Sequence, residues 1–292
     1  MASLEPVIRL ARSEDKDAVL RFTEHTWEFG EYISEVWDNW LNEPGSKMII
    51  ALIHNQPAAM VHISILAPGE AWLEGLRVDP AYRRIGLAQL LTMYCITAAA
   101  SSGVHTLRFI TSSLNAPVHR LAKKLVFSKT SSIQPYHAEI ITEDMSNPFS
   151  IPTQQDLSSL LPLIKDYPLF KAMNGLFSSG WRFLSINDQQ IRKKAHAGML
   201  RIIRDPGGIK AVAILEFKHN GDNLLAGYAD GKPEIIPELA LALKKEARRL
   251  QAKSVSIRLP EVPWIQSIFI EAGFRATEDH PFWIYEKGIK VV

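Results

Sequence analysis

Residues 72–91 read WLEGLRVDPAYRRIGLAQLL, and this stretch decides how the rest of the chain is interpreted. An apolar, strand-like run ends at Val78, an Asp-Pro pair turns the chain, and a helix-forming run follows. Gly86 and Ala88 keep bulky side chains away from the start of that helix, so its main-chain N–H groups can face a ligand. Together with the positive end of the helix dipole, these groups predict an anion site that suits a pyrophosphate.

Two arginines directly before the glycine strengthen this interpretation. Arg83 and Arg84 can each bind phosphate oxygens through the forked donors of a guanidinium. A Gly-x-Ala pair at a helix start is also a common result of close packing, so the pair alone leaves both explanations open.

The elements around this stretch alternate in type through the first half of the chain. Periodicity, caps and turn residues predict strands at 7–11, 47–54, 58–66, 71–78 and 105–111, helices from an N-cap at Ser13 and at 33–41, 84–102 and 116–126, and a last pair of strands within 128–142. Pro148 and Pro152 then interrupt the pattern, which predicts a domain boundary there.

The second half repeats the same order of elements. It predicts helices at 153–164, 187–197, 237–251 and 264–272, and strands at 199–204, 209–217, 223–229 and 254–259. A strand-like run at 181–186 has no counterpart in the first half. We therefore predict an α/β fold with a mixed sheet, built from two tandem domains at residues 1–145 and 150–292.

Composition excludes several classes of protein. The 292 residues carry 33 Lys and Arg against 31 Asp and Glu, a net charge of +2 without a basic block, which argues against nucleic-acid binding. A single cysteine, Cys95, excludes an internal disulfide, and the nine histidines lack the spacing of metal ligands, so no metal site is predicted. The N-terminus does not resemble a signal peptide, and the most apolar run, 87–100, is too short to cross a bilayer. We expect a cytoplasmic protein without a membrane partner.

The pattern V-x-P-x-x-R-x-x-G-x-A over residues 78–88 resembles the acetyl-CoA loop of the GNAT superfamily of N-acetyltransferases. Asn115 and Phe127 keep the spacing of the helix that follows in this family, although Val126 replaces the glycine before that phenylalanine. The order of elements over residues 5–142 also resembles the family fold. The resemblance implies two tandem GNAT-like domains, the N-terminal one intact and the C-terminal one degenerate.

The resemblance also implies acetyl-CoA as co-substrate and assigns its binding position by position. It implies a strand that diverges from its neighbour and pairs with the pantetheine arm, a loop that holds the pyrophosphate, and an asparagine near the thioester. These residues are Leu76, Arg77 and Val78 for the strand, Arg83, Arg84, Ile85, Gly86, Leu87 and Ala88 for the loop, and Asn115. Many members place a tyrosine where this chain has Ala122 to protonate the leaving thiolate, so water or another hydroxyl must serve here.

Glu74 is the candidate catalytic base. Alternation along the strand puts it on the same face as Trp72 and Leu76, where a carboxylate must be paired, solvated or functional. A base for an amine, acting directly or through water, and a structural ion pair with an arginine both fit the sequence.

Four other polar residues have structural explanations. Asn115 is equally suited to be a helix cap, and Cys95 fits a small core residue. His62 on a strand and His119 on a helix fit hydrogen-bonded structural residues better than metal ligands.

Residues 27–32, WEFGEY, lie between the first two helices, the region that usually lines the acceptor pocket in this superfamily. Glu28, Glu31 and Tyr32 are the candidate substrate-binding residues, because carboxylates and ring faces attract a cationic amine. An exposed turn with core aromatics is the alternative.

The second half lacks the loop. Residues 227–234 read GYADGKPE, and Glu234 and Glu238 put negative charge where a pyrophosphate would lie. We expect this half to be a degenerate repeat that does not bind the cofactor.

The expected function is therefore acetyl transfer from acetyl-CoA to a small-molecule amine or amino acid in a ternary complex, with strand N–H groups stabilising the oxyanion. A looser resemblance to the histidine N-acetyltransferase-like group makes histidine one example of an acceptor. A protein or peptide N-acetyltransferase, a non-catalytic acyl-CoA-binding module favoured by Ala122, and a structural protein without acetyl-CoA binding stay open as alternatives. The sequence makes no prediction of the oligomeric state.

Overall fold

The structure is a computed structural model that describes residues 5–24, 31–140, 146–217 and 222–290. Residue contacts divide the chain into two compact units. The first consists of Met1–Phe109, Asn115–Ser128 and Tyr285–Val292, and the second of Ile110–Leu114 and Lys129–Ile284. Each unit is therefore assembled from separate segments of the chain.

The first unit contains most of the elements of the first half of the chain. In order, these are β1 (Val7–Leu10), α1 (Lys16–Thr23), α2 (Ile33–Asn42), β2 (Ser46–Ile53), β3 (Gln56–Ala67), β4 (Glu70–Val78), α3 (Leu87–Ser101), β5 (Thr106–Ser112) and α4 (Ala116–Lys124). Short 3₁₀ helices precede α1 at Ser13–Asp15 and follow β4 at Pro80–Tyr82.

The second unit contains most of the remaining elements. These are β6 (Ser128–Glu139), α5 (Gln154–Asp166), α6 (Pro168–Ala172), β7 (Leu176–Ser179), β8 (Arg182–Ser185), α7 (Asp188–His196), β9 (Leu200–Asp205), β10 (Gly208–Phe217), β11 (Asn223–Gly231), α8 (Ile236–Arg249), β12 (Ser254–Pro260), α9 (Pro263–Glu271) and β13 (Arg275–Ala276). The last strand, β14 (Phe282–Gly288), belongs to the first unit from Tyr285 onward.

In the first unit the strands follow the order β1-β2-β3-β4-β5, with β14 beside β5. Neighbours from β1 to β4 are antiparallel, and β4 and β5 are parallel, joined through α3. Helix α2 buries Ile33, Trp37 and Trp40, which recur at helical spacing and therefore form one apolar face. They pack with residues of β2 and β3 such as Met48 and Met60, which fixes α2 beside the strands that carry the candidate site.

In the second unit the strands follow the order β6-β12-β11-β10-β9. Here β11 and β12 are the parallel pair, joined through α8, and the other neighbours are antiparallel. Both units thus run an antiparallel meander into a parallel pair through one long helix. The predicted mixed α/β fold with two repeats is confirmed. The run at 181–186 forms β8, which pairs with β7 in a separate hairpin.

The structure corrects two local predictions. Helix α3 begins at Leu87 rather than at residue 84, because Arg84 and Gly86 adopt left-handed backbone angles, with φ of +67° and +98°, that a right-handed helix excludes. Ser13 is not an N-cap, because it lies inside the 3₁₀ turn, where the side chain of Asp15 accepts the N–H of Arg12 at 2.7 Å.

The end of the first half also differs from its prediction. Residues 128–139 form one strand, β6, instead of a pair, and seven of its residues pair with β12. Because β6 groups with the second unit and the end of β14 with the first, the compact units interleave along the chain. They differ from the predicted limits of 1–145 and 150–292 in these two strands and in Ile110–Leu114, which groups with the second unit.

Candidate active site

Strands β4 and β5 run side by side for only three residues. Glu70, Ala71 and Trp72 pair with Thr106–Arg108, whereas β4 continues to Val78 and β5 to Ser112. Leu76, Arg77 and Val78 therefore lie on the part of β4 beyond its pairing with β5. Main-chain groups on such a segment can pair with an extended ligand.

The connection after β4 presents main-chain N–H groups. Asp79 accepts the N–H of Ala81 at 2.8 Å and so closes the 3₁₀ turn. Gly86 is the N-cap of α3 and supplies no side-chain acceptor, so the first-turn N–H groups have no partner from this cap residue. A Cβ built on Gly86 meets no atom within 4 Å, which leaves room for a ligand at the helix start.

The side chains of this connection agree with an anion site. Arg83, Arg84 and Ile85 are exposed, and Ala88 is half-buried in the first turn of α3. Leu87 is only 2% exposed, so it can offer a ligand its main chain but not its side chain. The structure therefore places two cations, an open glycine and a helix N-terminus within six consecutive residues.

Glu74 contacts a histidine. Its Oε1 lies 3.0 Å from Nδ1 of His62, its direct cross-strand partner on β3. The imidazole is fully buried, while the Glu74 side chain is 16% exposed. Because a carboxylate only accepts hydrogen bonds, we assign the proton of this contact to Nδ1. The cross-strand partner of Glu74 is thus His62, a contact that the sequence did not suggest.

Two further side chains contact the His62 ring, and a third contacts one of them. Trp40 of α2 stacks on it with a centroid distance of 4.4 Å and an angle of 2° between the planes. Nε2 of His62 lies 3.7 Å from Oε2 of Glu43, which is ion-pair distance but too long for a hydrogen bond. The hydroxyl of Ser64 donates to the same Glu43 oxygen at 3.2 Å. Trp40 therefore covers one face of the imidazole, and Glu74 and Glu43 lie beside its two nitrogens.

Gly75 makes this stack possible. It adopts a φ of +65° at an irregularity in the pairing of β3 with β4. A Cβ at this position would lie 2.5 Å from Cζ3 of Trp40, closer than carbon atoms can approach. Only glycine fits both the backbone angle and the tryptophan.

Glu31 and Arg77 form a buried ion pair. The guanidinium donates from Nε to Oε2 at 2.8 Å and from Nη2 to Oε1 at 2.9 Å, and the side chains are 7% and 6% exposed. Burial is the largest single influence on the pKa of Arg77 and lowers it, but the hydrogen bonds and charges of Glu31 and Tyr32 together raise the pKa above its ordinary value. The charge of Glu31 is thus balanced by Arg77, and the Arg77 side chain binds Glu31, which leaves its main chain for the role in the cofactor strand that the resemblance implies.

Tyr32 lies beside these groups. Its ring is 5.2 Å from the guanidinium carbon of Arg77 and meets Trp40 edge-on at 5.9 Å. The side chain is 40% exposed, so a ligand can reach it. Glu28, the third predicted acceptor residue, lies outside the described residues.

Helix α4 carries Asn115 and the position without a tyrosine. Asn115 is the N-cap, and its side chain accepts the N–H of Val118 at 3.4 Å, as the alternative interpretation predicted. Ala122 is 1% exposed and offers no hydroxyl. One turn after Asn115, Nδ1 of His119 lies 3.0 Å from the hydroxyl of Tyr285 on β14. In the first unit, the hydroxyl of Tyr285, a residue near the C-terminal end of the chain, therefore contacts helix α4 at His119.

Tyr285 is firmly packed. Its ring stacks on Phe109 of β5 at 5.1 Å with 15° between the planes, and burial raises its pKa. Cys95, by contrast, fits its predicted role in the core, because it is fully buried on α3 and burial raises its pKa to about 12.

The corresponding part of the second unit is built differently. Its 3₁₀ turn, Pro233–Ile235, leads directly into α8 at Ile236, whereas residues 83–86 separate the turn from α3 in the first unit. A Cβ on Gly227 of β11 would lie 2.2 Å from the carbonyl oxygen of Ser178, so the β7 backbone packs directly against this strand. Glu234 is exposed at the turn. The second repeat is degenerate at the position of the loop, as predicted.

Within the residues that the structure describes, no three His, Cys, Asp or Glu side chains are grouped so that they could hold a metal ion. No helix of those residues has both the length and the apolar character needed to cross a bilayer.

Comparison with known proteins agrees with this geometry. Residues 16–127 match the model of the acetyltransferase (GNAT) family. The first unit carries a GNAT acetyltransferase domain. A histidine N-acetyltransferase from Oreochromis niloticus is 29% identical over 87 residues, which cover 30% of this chain and 26% of that protein. The chain thus spans about a quarter of the length of the curated relatives it matches.

Solved structures resemble the whole chain. A GCN5-related N-acetyltransferase from Sphaerobacter thermophilus has a TM-score of 0.60 at 13% identity and covers 98% of this chain and 96% of its own. A tandem GNAT protein from the clavulanic acid biosynthesis pathway has a TM-score of 0.52 at 13% identity and covers 98% and 99%. At this identity the likeness shows the fold, and it confirms the tandem GNAT arrangement.

Sequence reasoning missed two contacts of the candidate site. His62 is the one ionisable residue in the run AAMVHISIL, and an isolated histidine among buried residues is a signal of a buried polar partner. No local signal could have found Tyr285, because 166 positions separate it from His119.

Proposed function

We propose that this protein transfers an acetyl group from acetyl-CoA to the amine of a small molecule, such as a free amino acid. The observation that carries the proposal is the start of α3, where Gly86 leaves first-turn N–H groups without a side-chain cap beside Arg83 and Arg84. A helix N-terminus with two nearby guanidinium groups suits a diphosphate.

The residues present fit acetyl-CoA in two further respects. The open space at Gly86 admits a phosphate close to the backbone, and β4 runs past its pairing with β5, so its main chain can bind an extended amide arm. In this assignment Leu87 and Ala88 contribute N–H groups, and Leu76, Arg77 and Val78 contribute main-chain groups of the strand. Asn115 acts on this site through the start of α4, which it caps.

Acetyl-CoA would supply an acetyl group as a thioester, which a neutral amine can attack. Glu74 is the group that accepts the proton of the ammonium form, because its carboxylate is partly exposed while its neighbour His62 is fully buried. We assign the proton for the leaving group to the hydroxyl of Tyr285, which His119 holds in place on α4. Tyr285 would thus take the role for which Ala122 has no side-chain donor.

The relation to a histidine N-acetyltransferase supports a free amino acid as acceptor. One alternative is the same acetyl transfer with a peptide as the acceptor. The other is a module that binds acyl-CoA but catalyses no reaction. The exposed Tyr32 ring, beside Trp40, suits the cationic or aromatic part of an amino acid.

Calorimetric titration with acetyl-CoA, followed by thiol release with a panel of amino acids, polyamines and N-terminal peptides, tests the proposal. We expect binding, and thiol release with at least one small amine. Absence of binding would overturn the proposal, binding without thiol release would favour the non-catalytic module, and release with peptides alone would favour a peptide acceptor.

Two substitutions on α3 locate the binding site. Gly86→Glu places a negative charge at the helix start and should abolish binding. Gly103→Glu is the matched control, because Gly103 also has a left-handed backbone, with a φ of +72°, and open space, but follows the opposite end of the helix. Equal affinity of both variants for acetyl-CoA would place the nucleotide elsewhere.

A further inference from the structure

We propose that His62 is a positioning residue that holds the carboxylate of Glu74 in the orientation required of a base. This inference rests on the proposed acetyl transfer. It concerns one contact, the 3.0 Å hydrogen bond between Nδ1 of His62 and Oε1 of Glu74 across β3 and β4.

The imidazole itself is held rigidly. It has no exposed surface, Trp40 covers one face in a parallel stack, and Glu43 lies beyond its other nitrogen. A ring fixed on these sides directs its Nδ1–H along one line. The glutamate that accepts this bond is therefore confined to few of its side-chain rotamers.

The surrounding backbone is arranged for this ring. Gly75 follows Glu74 directly, and its missing side chain leaves the space that Trp40 fills when it stacks on His62. A core of ordinary apolar residues would not need this arrangement. In the second unit, the residues at the corresponding register are Leu215 and Ala226, both fully buried, so the fold forms without a histidine–carboxylate pair.

The hydrogen bond has two consequences for Glu74. It engages Oε1, and it fixes the orientation in which Oε2 is presented. The charged and titratable groups around the pair are Glu43 at the end of α2, Tyr32 at its start, and Arg77 on β4, whose charge is balanced by Glu31. Loss of the donor should therefore lower the rate.

The test is steady-state kinetics of His62→Phe and His62→Asn. Phenylalanine keeps a ring for Trp40 but removes the donor, and asparagine places an amide N–H near the position of Nδ1. We expect His62→Phe to lower kcat by about tenfold or more, with an unchanged KM for acetyl-CoA. His62→Asn should restore most of the rate.

A double-mutant cycle separates positioning from structural support. In a Glu74→Gln background, His62→Phe should have no further effect on kcat, because His62 acts only through Glu74. Equal rate losses in both backgrounds, or an unchanged kcat with a raised KM in His62→Phe, would overturn the inference. If His62→Phe fails to fold, a folded His62→Asn with a tenfold or greater loss of kcat would overturn it instead. An inactive wild-type protein would defeat the proposed function itself, which is a different result from an active one that ignores His62.

Discussion

Each unit places a glycine at an irregularity between the last two strands of its antiparallel meander, and the two glycines serve different contacts. In the first, the β3–β4 irregularity includes Gly75, and the residue before it, Glu74, pairs with His62. In the second, the β10–β11 irregularity falls at Gly227, and the residue before it, Ala226, pairs with Leu215. The glycine belongs to the fold, whereas the acid–base pair belongs to the first unit alone.

What the glycine makes room for also differs. Gly75 admits the ring of Trp40 from α2, and Gly227 admits the backbone of β7 at Ser178. The hairpin of β7 and β8 therefore packs against the strand that corresponds to the candidate cofactor strand of the first unit. The second unit thus differs from the candidate site in two ways. Its connection into the long helix is shorter, and the space beside its corresponding strand is filled by the backbone of β7.

The largest expected effect comes from giving the first unit the connection of the second. Deletion of residues 83–86 removes both arginines and the N-cap glycine, which the second unit lacks. We expect acetyl-CoA affinity to fall at least ~1,000-fold, about 4 kcal/mol, in calorimetric titration. A folded deletion variant that still binds within tenfold of wild type would break the comparison.

The next-largest effect concerns β11, the strand of the second unit against which β7 packs at Gly227. Gly227→Ala should lower the free energy of unfolding by about 3 kcal/mol, because its Cβ would lie 2.2 Å from the carbonyl oxygen of Ser178. Gly180→Ala is the control, since Gly180 turns the same hairpin in open space and should cost only about 1 kcal/mol. Urea unfolding measures both, and equal losses would contradict the packing of β7 on β11.

A third effect is the dependence of stability on pH. Burial raises the pKa of Asp230 on β11 from 3.8 to about 6, despite hydrogen bonds from Tyr228 and the N–H of Phe170. Because the folded-state pKa lies above the unfolded one, this group favours folding below about pH 4 and loses that contribution as pH rises through 6. The loss is about 3 kcal/mol at most. Asp230→Asn should remove this slope between pH 4 and 6.5 whatever its absolute stability, and an unchanged slope would refute the assignment.

The smallest expected effect concerns the basic side chains in the two units' connections before the long helix and their contributions to acetyl-CoA binding. Arg83→Ala and Arg84→Ala should each weaken acetyl-CoA binding about fivefold, an effect that shrinks as salt is added. Lys232→Ala, at the exposed start of the second unit's 3₁₀ turn, should leave affinity unchanged. Equal effects of the three variants would mean that only overall charge matters.

Local chemistry made much of this fold predictable. The Thr153 cap of α5 forms its capping box with Asp156, and the helix and strand order of both halves follows from periodicity and turn residues. The start of α3 was misplaced by three residues because the left-handed angle of Arg84 leaves no mark in periodicity. The candidate loop was predictable for the same reason that the caps were: its chemistry lies within eleven consecutive residues.

By itself, the sequence determined the two repeats, the order of most elements and the glycine-arginine connection, since each depends on residues that are neighbours along the chain. It did not predict α6, β7 or β13. Only the tertiary structure decided that Arg77 binds Glu31, 46 positions away, that Glu74 meets His62 across two strands, and that Tyr285 reaches His119. Those contacts depend on strand register and on which strand joins which unit. Such choices are made by the burial of whole faces, and no short window of sequence contains that information.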